Sequence, residues 1–257
     1  MNVMIEAAEK AGRMLVRDFG EVENLQVSKK GPGNFVSAAD HKAEKTIMHI
    51  LQKARPEYDL LMEESGLTKG MDRKTRWIVD PLDGTTNFLH GIPHWAVSIA
   101  LEKDGEVVAG VVYDPIKDEM FWAEKGLGAC VNNKRIQVAG RTVLKDALVS
   151  TYGLDNAPLK AMAKSYEGLS VRMMGSACLA LAYVAAGRFD AYWENGLEAW
   201  DSAAGCLLVK ESRGIVTDLS GGKDYVYGKT VLAANATLHG ELLKYVKIPA
   251  EKAKTAS

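Results

Sequence analysis

Apolar residues recur at helical spacing from Val3 to Phe19 and again from Ser37 to Ala54, which predicts two amphipathic helices. Short apolar runs predict strands at Asp59–Met62 and Arg76–Val79. Antiparallel strands follow at Trp95–Glu102 and Glu106–Tyr113. They flank Asp104-Gly105, a dipeptide suited to a tight hairpin turn. A third such strand, Glu119–Ala123, comes after the turn at Asp114-Pro115. From about residue 140 the pattern alternates. Strands are expected at Ala147–Thr151, Leu169–Met173, Phe189–Trp193, Gly214–Thr217 and Val231–Ala234. Helices are expected at Ala157–Tyr166, Ser176–Ala186, Asp201–Ser212 and Thr237–Val246. Helices layered on sheets are implied, α+β in the first half and α/β in the second. The expected organisation is one domain over 1–257, with subdomains of about 1–143 and 144–248. The tail from Pro249 to Ser257 is expected to be mobile.

Composition narrows the class. A chain of 257 residues buries roughly 70–75% of its unfolded surface and needs no disulfide or structural metal to fold. Its formal net charge of −1 creates no global basic field, so nucleic acid is not expected as the main partner. Three widely spaced cysteines, Cys130, Cys178 and Cys206, form no C-x-x-C pattern and read as buried thiols of a reduced, cytoplasmic chain. The N-terminal stretch carries Glu6, Glu9, Lys10, Arg13 and Asp18, so it is an amphipathic helix and not a signal peptide. The most apolar run, Ala177–Ala186, is too short to span a bilayer.

The chemistry concentrates after the strand ending at Val79. Asp80 stands at that strand's end, where ligand sites of α/β proteins usually lie. Pro81 fixes its own φ, and a tight turn there aims Asp80 and Asp83 at one point. The Leu82 carbonyl between them is a third hard oxygen. Gly84 removes a side chain where a phosphate would approach the backbone. Thr85 and Thr86 then fall in the first turn of a short helix, whose N–H groups suit phosphate oxygens. A plain Asp-Gly hairpin turn would need strand residues after Gly84, and Thr85-Thr86-Asn87-Phe88-Leu89-His90-Gly91 does not supply them. His90 and His94 have i, i+4 spacing, but Gly91 and Pro93 between them argue against a zinc-binding helix.

The segment Asp80-Pro81-Leu82-Asp83-Gly84-Thr85-Thr86-Asn87-Phe88 resembles the signature of the inositol monophosphatase family. Met62-Glu63-Glu64-Ser65-Gly66 is similar to that family's upstream acidic motif, and Trp200-Asp201-Ser202-Ala203-Ala204-Gly205 to its downstream aspartate motif. Gly175-Ser176-Ala177 and Tyr183-Val184-Ala185-Ala186-Gly187-Arg188 also look like bacterial members, and the register fits from about Val3 to Leu243. The resemblance implies a layered α-β-α-β-α sandwich of the sugar phosphatase type. It implies a homodimer, sensitivity to Li+, and hydrolysis of a phosphorylated polyol or sugar, myo-inositol monophosphate first among them. Two or three Mg2+ per subunit, replaceable by Mn2+, are implied on Glu63, Asp80, the Leu82 carbonyl, Asp83 and Asp201; such all-oxygen sites suit hard cations.

Several of these residues also have an ordinary reading. Glu63 alone would be a solvated loop acid; by resemblance it is a ligand that also positions the attacking water. Asp201 reads as a helix N-cap, and by resemblance as a ligand shared between metal sites. Asp40 reads as part of a cap, and by resemblance as the partner that orients Thr85 toward the water. Glu194, an exposed strand-end charge on its own, contacts substrate hydroxyls by resemblance. Gly175 and Ser176 join Asp83, Gly84, Thr85 and Asp201 in the expected substrate set. Lys29, before Gly31-Pro32-Gly33, reads on its own as part of a basic mobile loop, and by resemblance lies close to a metal-bound water or phosphate. The chain departs from the common pattern at Met62, Arg172-Met173-Met174, Leu179-Ala180-Leu181 and Glu198-Ala199, none of which removes a ligand. Other phosphatases of the same fold act on fructose-1,6-bisphosphate, histidinol phosphate or adenosine bisphosphate, and a role in RNA or transcription control is the alternative from outside enzymology.

Overall fold

The computed structural model of the chain describes residues 1–21, 27–29, 35–153, 162 and 169–248. Helix α1 (Asn2–Phe19) buries Met4, Ala7, Ala8, Ala11 and Leu15, the stripe that its periodicity predicts. Helix α2 (Ala38–Ala54) buries Ala39, Ala43, Ile47, Ile50 and Leu51. Alanines on these faces let the helices approach closely. Gly12 goes further, since a Cβ there would lie 2.6 Å from the Tyr113 ring.

The two helices cover one face of an eight-stranded sheet. Strands β1 (Val27–Lys29) and β2 (Phe35–Ser37) form a separate hairpin. The large sheet contains β3 (Tyr58–Met62), β4 (Gly66–Thr68), β5 (Asp72–Asp83), β6 (Ala96–Lys103), β7 (Glu106–Asp114), β8 (Glu119–Glu124), β9 (Gly128–Val131) and β10 (Lys134–Arg135). Its order is β10-β9-β8-β7-β6-β5-β3-β4, with only β3 and β5 parallel. The β6–β7 hairpin turns through Asp104 (φ 51°) and Gly105 (φ 79°), as the dipeptide predicts.

The second half builds a five-stranded sheet from β11 (Leu148–Thr151), β12 (Ser170–Arg172), β13 (Ala191–Asn195), β14 (Ile215–Thr217) and β15 (Thr230–Ala234), in the order β12-β11-β13-β15-β14. β12, β11 and β13 run parallel, while β15 and β14 join antiparallel, so this sheet is mixed. Helices α4 (Ala177–Ala185) and α5 (Ala199–Glu211) lie between the sheets in one core with Ile78, Phe121, Tyr192 and Val231. Helix α6 (Ala236–Val246) covers the outer face through Leu238, Leu242 and Val246. The layers are therefore α-β-α-β-α, the arrangement the resemblance implies.

Two expectations shift. β5 is longer than Arg76–Val79 because pairing with β6 resumes past an irregularity: Asp80 opposes Ser98 and Asp83 opposes Ala96. The Asp80–Asp83 motif is thus a bulge inside a strand, at the place where Pro81 has no N–H to give the ladder. β13 begins two residues later than expected. The Arg188 and Phe189 amides bond the Tyr183 carbonyl at 2.9 and 3.2 Å and close α4 instead. Glu194 therefore sits within β13 and not beyond its end. The helix expected at Ala157–Tyr166 and the tail from Pro249 fall outside the described residues, apart from Met162. Among the described residues no helix is long and apolar enough to cross a membrane, and all three cysteines are buried and free.

Candidate active site

Parallel pairing of β3 with β5 sets Met62 opposite Val79, and the Glu63 amide extends the pairing by donating to the Val79 carbonyl at 3.2 Å. Glu63 and Asp80 therefore leave neighbouring strands side by side. Asp80 is 2% exposed and accepts the Leu82 amide at 2.9 Å on Oδ1, which tightens the bulge. Gly84 adopts φ 93°, which L side chains rarely tolerate. It starts helix α3 (Thr85–Leu89), the short helix anticipated there. The Thr85 hydroxyl lies 2.9 Å from the Leu82 carbonyl and 3.4 Å from Asp40 Oδ2. The shorter contact goes to the carbonyl. Asp40, in the first turn of α2, is fully buried.

Two acidic clusters result. Asp80, Asp83 and Asp201 each bring a carboxylate oxygen within 4.8 Å of the others, and Asp40, Glu63 and Glu64 do the same. Burial, then the negative charges of Glu63, Asp83, Asp201 and Asp40, push the Asp80 carboxyl well above the usual range. Asp201 moves the same way through burial and then Asp83, with the Glu198 amide partly offsetting the shift. Such a concentration of buried like charge is favourable only beside positive charge. All of its donors are hard oxygens, so the residues present fit a divalent cation such as Mg2+. His90 caps α3, and His94 precedes β6 as a buried side chain, so neither belongs to the clusters.

The second half of the chain closes the site. Asp201 is not the N-cap of α5 but its third residue. Glu198 is the cap, and the two form a capping box in which Asp201 Oδ2 accepts the Glu198 amide at 2.7 Å. Helix α4 points its N-terminus at Asp83: Oδ2 accepts the Ser176 hydroxyl at 2.5 Å and the Cys178 amide at 2.9 Å, and Oδ1 accepts the Ala177 amide at 3.3 Å. Asn87 fastens the same junction, donating 2.8 Å bonds to the carbonyls of His94 and Met174.

A cleft of about 410 Å³ opens beside these groups. Asp83, Gly84, Thr85, Gly175, Ser176, Glu194 and Asp201 all line it, so every residue of the expected substrate set reaches one cavity. Burial raises the Glu194 carboxyl to about 7, against the opposing effect of a hydrogen bond from Tyr192. Lys29 lies in β1, and its side chain falls outside the described residues. Sequence reasoning passed over Tyr152 and Tyr192, which also line the cleft, as does Met173 of the segment Arg172-Met173-Met174 that departs from the common pattern. For Tyr192 a signal existed, because period-2 alternation puts it on the face of Glu194.

Comparison with known proteins agrees with this fold. The inositol monophosphatase family profile matches residues 1–249. Inositol-1-monophosphatase of Mesorhizobium japonicum is 54% identical over 258 residues, covering 97% of this chain and 96% of its own length. Nus factor SuhB of Pasteurella multocida is 38% identical, covering 96% and 95%. The crystal structure of extragenic suppressor protein suhB from Bartonella henselae superposes with a TM-score of 0.92 at 52% identity, covering 96% and 98%. With a profile match over residues 1–249, the chain belongs to the inositol monophosphatase family.

Proposed function

We propose that this chain is a Mg2+-dependent phosphomonoesterase that hydrolyses a phosphorylated polyol, with myo-inositol monophosphate as the preferred substrate. One observation carries the reading: Asp80, Asp83 and Asp201, from two distant parts of the chain, meet within 4.8 Å at the side of a cleft. Relatives named inositol-1-monophosphatase support the choice of substrate.

Glu63, Asp80, the Leu82 carbonyl, Asp83 and Asp201 would hold two or three Mg2+. Bound divalent ions supply Lewis acidity toward the phosphate and its leaving oxygen. The protein's own groups do the remaining work. Glu63 and Thr85 orient a water for in-line attack, with Asp40 behind Thr85 as acceptor. The Gly84 and Thr85 amides hold phosphate oxygens. Glu194 accepts hydrogen bonds from the polyol, and Gly175 and Ser176 shape the wall beside it; Lys29 is a candidate phosphate contact on the family resemblance alone.

Phosphate release from inositol 1-phosphate is expected to require Mg2+ and to fall about a hundred- to a thousandfold in Asp83→Asn, the scale lost when a group acting in the transition state is removed. Normal turnover in that variant, or full activity after exhaustive chelation, refutes the reading. Relatives named Nus factor SuhB favour a second reading, a role in transcription complexes. Full rescue of a deletion phenotype by Asp83→Asn would select it. We further propose a homodimer, with light scattering expected to give twice the 27.9 kDa chain mass. A monomer across the micromolar range contradicts that assembly.

A further inference from the structure

We propose that Tyr192 is a positioning residue for polyol recognition, acting through the Glu194 carboxylate; the inference rests on the phosphatase reading above. Alternation along β13 sends Trp193 into the outer core and Tyr192 toward the inner core and the cleft. Tyr192 and Glu194 thus share a face, two residues apart, and both line the cavity. Tyr192 is 1% exposed, so its ring is fixed by packing and its hydroxyl has little access to bulk water. That hydroxyl donates to Glu194 Oε2. Among the described residues this is the one hydrogen bond shown for the Glu194 carboxylate.

The geometry makes the tether matter. A glutamate has three side-chain torsions, and ordering them costs conformational entropy. The buried phenol restricts them by holding Oε2. Oε1 is then the oxygen available to accept a substrate hydroxyl. Removing the phenol hydroxyl keeps the ring and its packing and releases the carboxylate.

The test is the steady-state kinetics of Tyr192→Phe in the Mg2+-loaded enzyme, with inositol 1-phosphate and phenyl phosphate as substrates. KM for inositol 1-phosphate is expected to rise about tenfold, the effect of losing one charge-assisted hydrogen bond, with kcat within twofold of wild type. Phenyl phosphate has no ring hydroxyl for Glu194 to accept, and its KM is expected to move less than twofold. In a Glu194→Ala background, Tyr192→Phe is expected to add nothing further, because the pair acts as one unit. An unchanged KM for inositol 1-phosphate, equal rises for the two esters, or additive effects in the double variant each overturn the role of Tyr192 while leaving the phosphatase reading intact. Absence of phosphate release from both esters by the wild-type enzyme overturns both.

Discussion

The contact between Ser176 and Asp83 yields the most demanding prediction, because it joins residues 93 positions apart. In Ser176→Ala the Asp83 carboxylate loses its shortest donor, at 2.5 Å, in a setting where Ser176 is 4% exposed. A hydrogen bond to a charged group is worth about 1.5–3 kcal/mol. Asp83 keeps the Cys178 and Ala177 amides at 2.9 and 3.3 Å, which places the loss at the lower end. About 1.5 kcal/mol corresponds to roughly a tenfold weaker Kd for Mg2+, as expected when the partner that orients a metal ligand is removed. The same change removes the cap bond from the Leu179 amide, a long contact at 3.4 Å, worth about 0.5 kcal/mol of helix stability. Calorimetric titration with Mg2+, alongside thermal melts in EDTA, separates the two effects. Ser176→Thr retains the hydroxyl and is expected to bind Mg2+ within about threefold of wild type. A folded Ser176→Ala that binds Mg2+ as tightly as wild type refutes the idea that α4 aims this carboxylate.

Two further predictions concern the loop and the charge cluster. Gly84→Ala places a Cβ 3.1 Å from the His94 carbonyl and 3.2 Å from the Trp95 Cβ at φ 93°; it is expected to cost about 1–3 kcal/mol in denaturant titrations, and an unchanged midpoint argues against strain there. In the chelated protein, Glu194 is raised from 4.5 to about 7 in the folded state, so the native form holds a proton that the unfolded chain has released. Stability is therefore present in full below about pH 4.5 and lost as pH rises through 7, by roughly 3 kcal/mol from this group alone. Asp80 and Asp201 act in the same direction, and Mg2+ is expected to reverse the trend. Urea unfolding in EDTA at pH 5 and pH 8 measures it, and greater stability at pH 8 contradicts the assignment.

Much of the architecture was legible from residues near one another. The helical stripes of α1 and α2, the Asp104-Gly105 turn and the three acidic motifs depend on local spacing, which a chain carries into any context. The misjudged boundaries have long-range causes. β5 continues past Asp80 because β6 offers partners to Asp80 and Asp83, and β13 starts late because the Tyr183 carbonyl engages Arg188 and Phe189. Short strands such as β4, β9 and β10 went unread, since two to four residues at a sheet margin carry little periodicity of their own.

The sequence by itself determined which atoms are on offer: two aspartates around a proline and a glycine, with hydroxyls following, supply hard oxygens and N–H donors of the kind that cations and phosphate need. Tertiary structure decided how those groups are held. It set α4 against Asp83, made Glu198 and not Asp201 the cap of α5, and buried Tyr192 beneath Glu194. The reason is physical. Residue type fixes what an atom can donate or accept, while the partner it meets from a distant segment is set by the packing of whole layers.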